Sequence, residues 1–155
     1  MIDISKITDN LYVGSRIIKE HADEVKLLKF DLILSKIAQF APDEIYTLPP
    51  FKTIWLRTYD SIIFPIPLKK LLMGVEAAVP VIENNGKVLV FCMQGRRRSV
   101  AMAACILIAT GKTAHDAIEL LMSARKVADP RAWYIKRRIY AFERYWHVTH
   151  PAQKS

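Results

Sequence analysis

One cysteine, Cys92, is followed six positions later by Arg98 and then by Ser99, with Gly95 between them. A thiolate is a strong nucleophile, and a guanidinium holds two oxygens of a phosphate in its planar fork. The residues before Cys92, Val88 to Phe91, are an apolar run that reads as a buried strand. Those after Ser99, Val100 to Ile108, are apolar throughout and read as a buried helix. Cys92 therefore sits where a strand ends and Ser99 where a helix begins. A helix start leaves several N–H groups unpartnered and pointing one way. A loop bent around a glycine turns further N–H groups to the same centre. Met93, Gln94, Gly95, Arg96 and Arg97 would supply those amides and Arg98 the fork, which makes the segment a cradle for phosphate. The same positive field favours the thiolate form of Cys92.

Transfer of a phosphoryl group to sulfur requires a proton for the leaving oxygen, and a carboxylic acid on a neighbouring loop can supply it. Asp60 is the candidate in the loop from Arg57 to Pro65, which follows a strand over Lys52–Leu56 and precedes Cys92 by 32 residues. The expected reaction has four parts. Cys92 attacks phosphorus, and the loop amides with Arg98 hold the equatorial oxygens. Asp60 protonates the leaving group and then activates water against the phosphocysteine. Ser99 hydrogen-bonds the sulfur and helps it leave. No metal or other cofactor is needed: His21, His115, His147 and His150 do not pair with carboxylates at ligand spacing.

The elements that must position these groups follow from apolar periodicity. Ile4 to Gly14 reads as two short strands about a turn at Thr8–Asn10, Ile17 to Leu28 as an amphipathic helix, and Asp31 to Ile37 as a buried strand. Ala38 to Pro50 is a loop broken by Pro42, Pro49 and Pro50. Pro67 opens a helix with an apolar stripe through Leu68, Leu71, Leu72, Val75, Val79 and Ile82, ended by Asn84–Gly86. Beyond the motif helix, Gly111 suits a C-cap, Thr113 with Asp116 a capping box, and Pro130 the start of a last helix. The expected fold is α/β, a central mostly parallel β-sheet flanked by helices in a single domain over residues 1–155, with a frayed tail from about His147. Ligands bind beyond the carboxyl ends of such strands, where Cys92 and Asp60 both fall.

Composition restricts the class. The chain of 155 residues is 52% hydrophobic and 25% charged, ordinary for a globular protein, and no apolar run approaches the ~20 residues of a membrane span. Two cysteines are too few for a disulfide framework. With no signal-like N-terminus and a thiol that needs reducing surroundings, a cytoplasmic protein is expected. The net charge of +8 favours anionic partners: phosphorylated protein above all, with a polyanionic ligand or nucleic acid as open alternatives.

The Cys-x5-Arg-Ser loop between a strand and a helix resembles the signature loop of the cysteine-dependent protein tyrosine phosphatases. The chain around it is most similar to their small dual-specificity branch. The phrase from Ile7 to Ser15 is similar to the opening of those domains, and Asp60 lies where they carry their general acid. The resemblance implies a protein tyrosine phosphatase-like fold. It also implies hydrolysis of phosphotyrosine and phosphoserine or phosphothreonine monoesters through a phosphocysteine. Two departures matter. Phe91 stands where the family has a histidine that helps shape the loop, which leaves open a weakly active phosphate-binding pseudophosphatase. Arg96 and Arg97 make the loop more basic than usual, like those of phosphatases acting on polyanions such as phosphoinositides or the 5′-triphosphate of RNA. Cys105, inside the apolar helix, reads as a core residue.

Overall fold

The apolar runs pair into one five-stranded sheet in the order β1-β2-β5-β3-β4, as seen in a computed structural model that describes residues 2–151. The strands are β1 (Ile4–Lys6), β2 (Leu11–Gly14), β3 (Leu32–Ile37), β4 (Thr53–Thr58) and β5 (Val88–Phe91). Only the β1–β2 pair is antiparallel; β2–β5, β5–β3 and β3–β4 run parallel. The motif strand β5 lies in the middle, with Val88 opposite both Leu11 and Leu32. A strand covered on both faces has no polar side, which is why its four residues are all apolar and all buried.

Four helices cover one face: α2 (Leu68–Glu83), α3 (Arg98–Ala109), α4 (Ala114–Ala124) and α5 (Trp133–Thr149). Every residue of α3 is buried, as the unbroken apolar run from Val100 to Ala109 requires, and it packs with α2, α4 and α5 over Leu32, Leu34, Val88 and Val90. The opposite face is smaller. Ile33, Leu89 and Phe91 pack there against Val25 of the short helix α1 (Ala22–Leu28) and against Tyr46. The loop after Ala109 closes as its residues suggest: Gly111 adopts φ 117°, and the Thr113 hydroxyl accepts from the amide of Asp116 at 3.1 Å.

Three boundaries differ from expectation. The helix expected over Ile17–Leu28 is split into a 3-10 turn at Lys19–His21 and α1, because tertiary bonds hold its beginning extended. The Tyr46 hydroxyl donates to the Ile18 carbonyl at 2.6 Å, and the Lys19 amide donates to Asp43 at 2.7 Å. The last helix begins at Trp133 rather than Pro130, since the Asp129 amide is drawn to the Arg96 carbonyl at 2.8 Å. It then continues to Thr149, past the expected onset of fraying at His147. Trp146 anchors that end, stacked between Phe142 at 5.6 Å and His150 at 3.6 Å. The rest of the expected tail, from residue 152, lies outside the described residues.

A buried lysine interrupts the core. Lys36 sits at a register shift of β3 against β4, is fully buried, and its Nζ has no hydrogen-bond partner among the described residues. Burial drives its pKa down to about 7; nearby Lys70 and Arg98 act in the same direction, while Cys105 and Cys92 oppose them. The unfolded lysine keeps its proton to about pH 10.4, so between those values the unfolded chain binds more protons. Stability should therefore rise as pH increases from 7 towards 10. Lys36→Met, which fills the same space without a charge, is expected to stabilise the fold by a few kcal/mol at pH 7 and to flatten that pH dependence. Urea unfolding of both proteins at pH 7 and 9 checks this, and equal midpoints at pH 7 would contradict it.

Candidate active site

Cys92 leaves the carboxyl end of β5 and enters a loop whose carbonyls from Met93 to Arg96 are bonded on its outer side. The Met93 carbonyl accepts from the Arg16 amide at 3.2 Å and that of Arg96 from the Asp129 amide at 2.8 Å. Between them, the Gln94 and Gly95 carbonyls accept from the Arg125 guanidinium at 3.0 and 2.7 Å. In a trans peptide the next N–H is opposed to the carbonyl, so these outward carbonyls turn the amides of residues 94–97 inward. Gly95 makes the bend possible. Its φ is 61°, and a Cβ there would meet the Gly14 backbone at 2.5 Å. The amides of Gln94, Gly95, Arg96 and Arg97 thus face the centre of the loop, beside Cys92.

Within it, the Cys92 sulfur lies 3.1 Å from the Ser99 hydroxyl and is only 3% exposed. Burial, to which the adjoining Phe91 ring contributes, pushes the thiol pKa up. The Ser99 hydroxyl, the Ser99 and Arg96 amides and the Arg98 charge pull it down by more, and the result lies below the ordinary cysteine value. These donors lower the thiol pKa although the residue before Cys92 is the apolar Phe91. Cys105 behaves oppositely: complete burial raises its pKa, and it is an inert core residue.

Arg98 is buried in the first turn of α3 and reaches back across the sheet ends. Its Nη1 donates to the Thr58 carbonyl at 2.8 Å, and more weakly to the Lys36 carbonyl at 3.4 Å and Gln39 Oε1 at 3.5 Å. Because all three bonds leave from Nη1, Nε and Nη2 remain for two phosphate oxygens. The register shift at Lys36 thus helps aim the guanidinium.

Asp60 lies just past the carboxyl end of β4 and lines the same cleft, of about 360 Å³, as Cys92, Gln39 and Arg96 to Arg98. It is held from two sides. The Tyr134 hydroxyl donates to Oδ1 at 2.7 Å, and Arg97 Nη1 faces Oδ2 at 3.4 Å. Arg97 is itself held by Asp129 at 3.2 Å. Burial and the neighbouring Asp60 raise the Tyr134 pKa, so the phenol remains a donor. The Arg97 side chain, which the basic loop offered as a contact for polyanionic substrates, is instead held against the Asp60 and Asp129 carboxylates; Arg96 stays exposed. No group of three metal-ligating side chains occurs among the described residues.

Arg125 is the residue that sequence reasoning missed. Only 3% exposed at the end of α4, it joins the loop carbonyls to Asp3, with Nη1 and Nη2 at 3.0 and 2.7 Å from the two carboxylate oxygens. Asp3 accordingly titrates below the ordinary aspartate range. An arginine directly after an apolar helical stripe was the available signal; its partner 122 positions away was not visible.

Comparison with known structures bears on this geometry. A mouse putative dual specificity phosphatase, crystallised with zinc tungstate, superimposes with a TM-score of 0.82 over 96% of this chain and 91% of its own, at 20% identity. The fold is that of a dual-specificity phosphatase. PTPMT1, solved in complex with PI(5)P, superimposes with a TM-score of 0.77, at 19% identity over 94% of this chain and 97% of that one. In sequence, the Arabidopsis thaliana protein-tyrosine-phosphatase MKP1 is 25% identical over 148 residues, 90% of this chain. The chain spans only 18% of the length of that relative. No family model matches the sequence. Sequence and fold together place the resemblance with the dual-specificity type of cysteine-dependent phosphatase.

Proposed function

We propose that the chain hydrolyses phosphate monoesters of protein tyrosine, serine and threonine through a phosphocysteine at Cys92. The observation that carries this reading is the low-pKa sulfur of Cys92 within inward-turned amides, beside Ser99 and under Arg98. The Cys92 thiolate forms a bond to phosphorus as the ester P–O bond breaks, and Asp60 gives its proton to the departing oxygen. Loop amides and Arg98 hold the equatorial oxygens, where transition-state charge collects. Water then attacks phosphorus and yields a proton to the Asp60 carboxylate. The S–P bond breaks, with the Ser99 hydroxyl bonded to the leaving sulfur. Phosphate is released and the thiolate regenerated.

A second reading, hydrolysis of a polyanion such as a phosphoinositide, is favoured by the exposed Arg96 at the cleft and by the PI(5)P complex of PTPMT1. The test compares kcat/KM on phosphotyrosine and phosphothreonine peptides and a soluble phosphoinositide, at low and high salt. Both peptides are expected to be hydrolysed, phosphotyrosine faster because a phenol is the better leaving group. Strict phosphotyrosine specificity would contradict dual specificity, and a preference for the phosphoinositide that fades with salt would favour the second reading. Turnover of none of them, nor of p-nitrophenyl phosphate, would reduce the site to a phosphate-binding module.

A further inference from the structure

The rim of the cleft beside Asp60 carries large apolar side chains turned to solvent. Ile62, Ile63 and Phe64, consecutive on the Asp60 loop, are 60%, 75% and 65% exposed, and Trp133 at the start of α5 is 61% exposed. They form one patch: the Tyr59 and Phe64 rings lie 6.2 Å apart, and Ile62 and Trp133 line a common groove with Pro65, Arg137 and Arg138. Exposed apolar clusters of this kind mark interaction surfaces. The tip is preformed. The Ser61 hydroxyl accepts from the amides of Ile63 and Phe64 at 3.0 and 3.2 Å, and Arg138 Nε ties the base of the loop to α5 through the Ile66 carbonyl at 3.0 Å.

The charge around the patch is positive. Lys136 and Arg137, three and four positions after Trp133, share its face of α5 and are exposed, and the whole chain carries +8. Ile63 and Phe64, the most exposed of these side chains on the loop, can enter the interfacial layer of a bilayer while the neighbouring cations meet anionic headgroups. We propose that the Ile62–Phe64 tip, Trp133 and the Lys136–Arg137 face dock the protein on an anionic lipid bilayer. Tyr134, beside Trp133 and bonded to Asp60 at 2.7 Å, couples this surface to the cleft, so docking sets the mouth of the site at the headgroup layer. The docking stands independently of the reaction at Cys92.

Co-sedimentation with vesicles of phosphatidylcholine alone, or with about one third phosphatidylserine, tests it. The protein is expected to partition onto the anionic vesicles only, and less so as salt is raised. The double substitution Ile63→Ser, Phe64→Ser is expected to lower partitioning at least about tenfold, since each change removes a side chain whose burial alone is of that order. Its far-ultraviolet circular dichroism and thermal midpoint should stay at the wild-type values, reporting an intact fold. In the wild type, vesicles should shift tryptophan emission to the blue, and Trp133→Phe should remove the shift. Failure of the wild type to bind anionic vesicles, wild-type partitioning of the double variant, or a blue shift that survives Trp133→Phe would each overturn the proposal.

Discussion

Cys92→Ser is expected to abolish turnover of p-nitrophenyl phosphate while leaving affinity for phosphate analogues such as tungstate within a few-fold of wild type. A serine hydroxyl at this position has no base beside it. The groups that lower the Cys92 pKa, the Ser99 hydroxyl, two amides and Arg98, suffice for a thiol but not for an alcohol. Analogue binding depends on other parts: the inward amides, held by Arg125, Arg16 and Asp129, and the Arg98 fork, held by Thr58. None of these contacts involves the sulfur. The two readouts therefore separate, and turnover near the wild-type rate in Cys92→Ser would remove the nucleophile from the scheme.

Asp60→Asn is expected to depend on the leaving group. General acids contribute roughly 10²–10⁴-fold. That full loss should fall on phosphothreonine, whose alkoxide leaves poorly, and much less of it on p-nitrophenyl phosphate, whose phenolate leaves unaided. The substitution is mild on structure. An asparagine oxygen can still accept from Tyr134, and Arg97 keeps Asp129 at 3.2 Å. Equal losses on both substrates would make Asp60 a bracing residue for Arg97 rather than an acid.

Much of the fold was legible because its signals are local. The apolar runs of β5 and α3 announce a central strand and a buried helix, and the structure buries every residue of both. Cys92, Gly95, Arg98 and Ser99 fall within eight positions, so their convergence was readable from spacing alone. Asp60 was readable as a carboxylate at the end of a strand. What stayed hidden depends on distant partners. Lys36 continues the alternation of Leu32 and Leu34, and only the packing of α2 and α3 over that face shows that a lysine is buried there. The second role of Arg97 depends on Asp129 and Asp60, each more than 30 positions away. The start of α5 was misplaced for a similar reason, since a bond from Asp129 to the loop after β5 overrides the preference of Pro130 for a first helical turn.

The covalent intermediate is the most direct test of the reaction at Cys92. Removing the hydroxyl 3.1 Å from the sulfur, in Ser99→Ala, should slow departure of the thiolate and let the phosphoenzyme accumulate. A labelled aryl phosphate would be mixed with this variant, quenched within milliseconds by denaturant, digested and mapped. The expected result is phosphoryl label on the peptide that contains Cys92, and none when Cys92→Ser is added. Turnover by Ser99→Ala with label on another residue, or with no labelled enzyme at any time, would contradict a phosphocysteine mechanism.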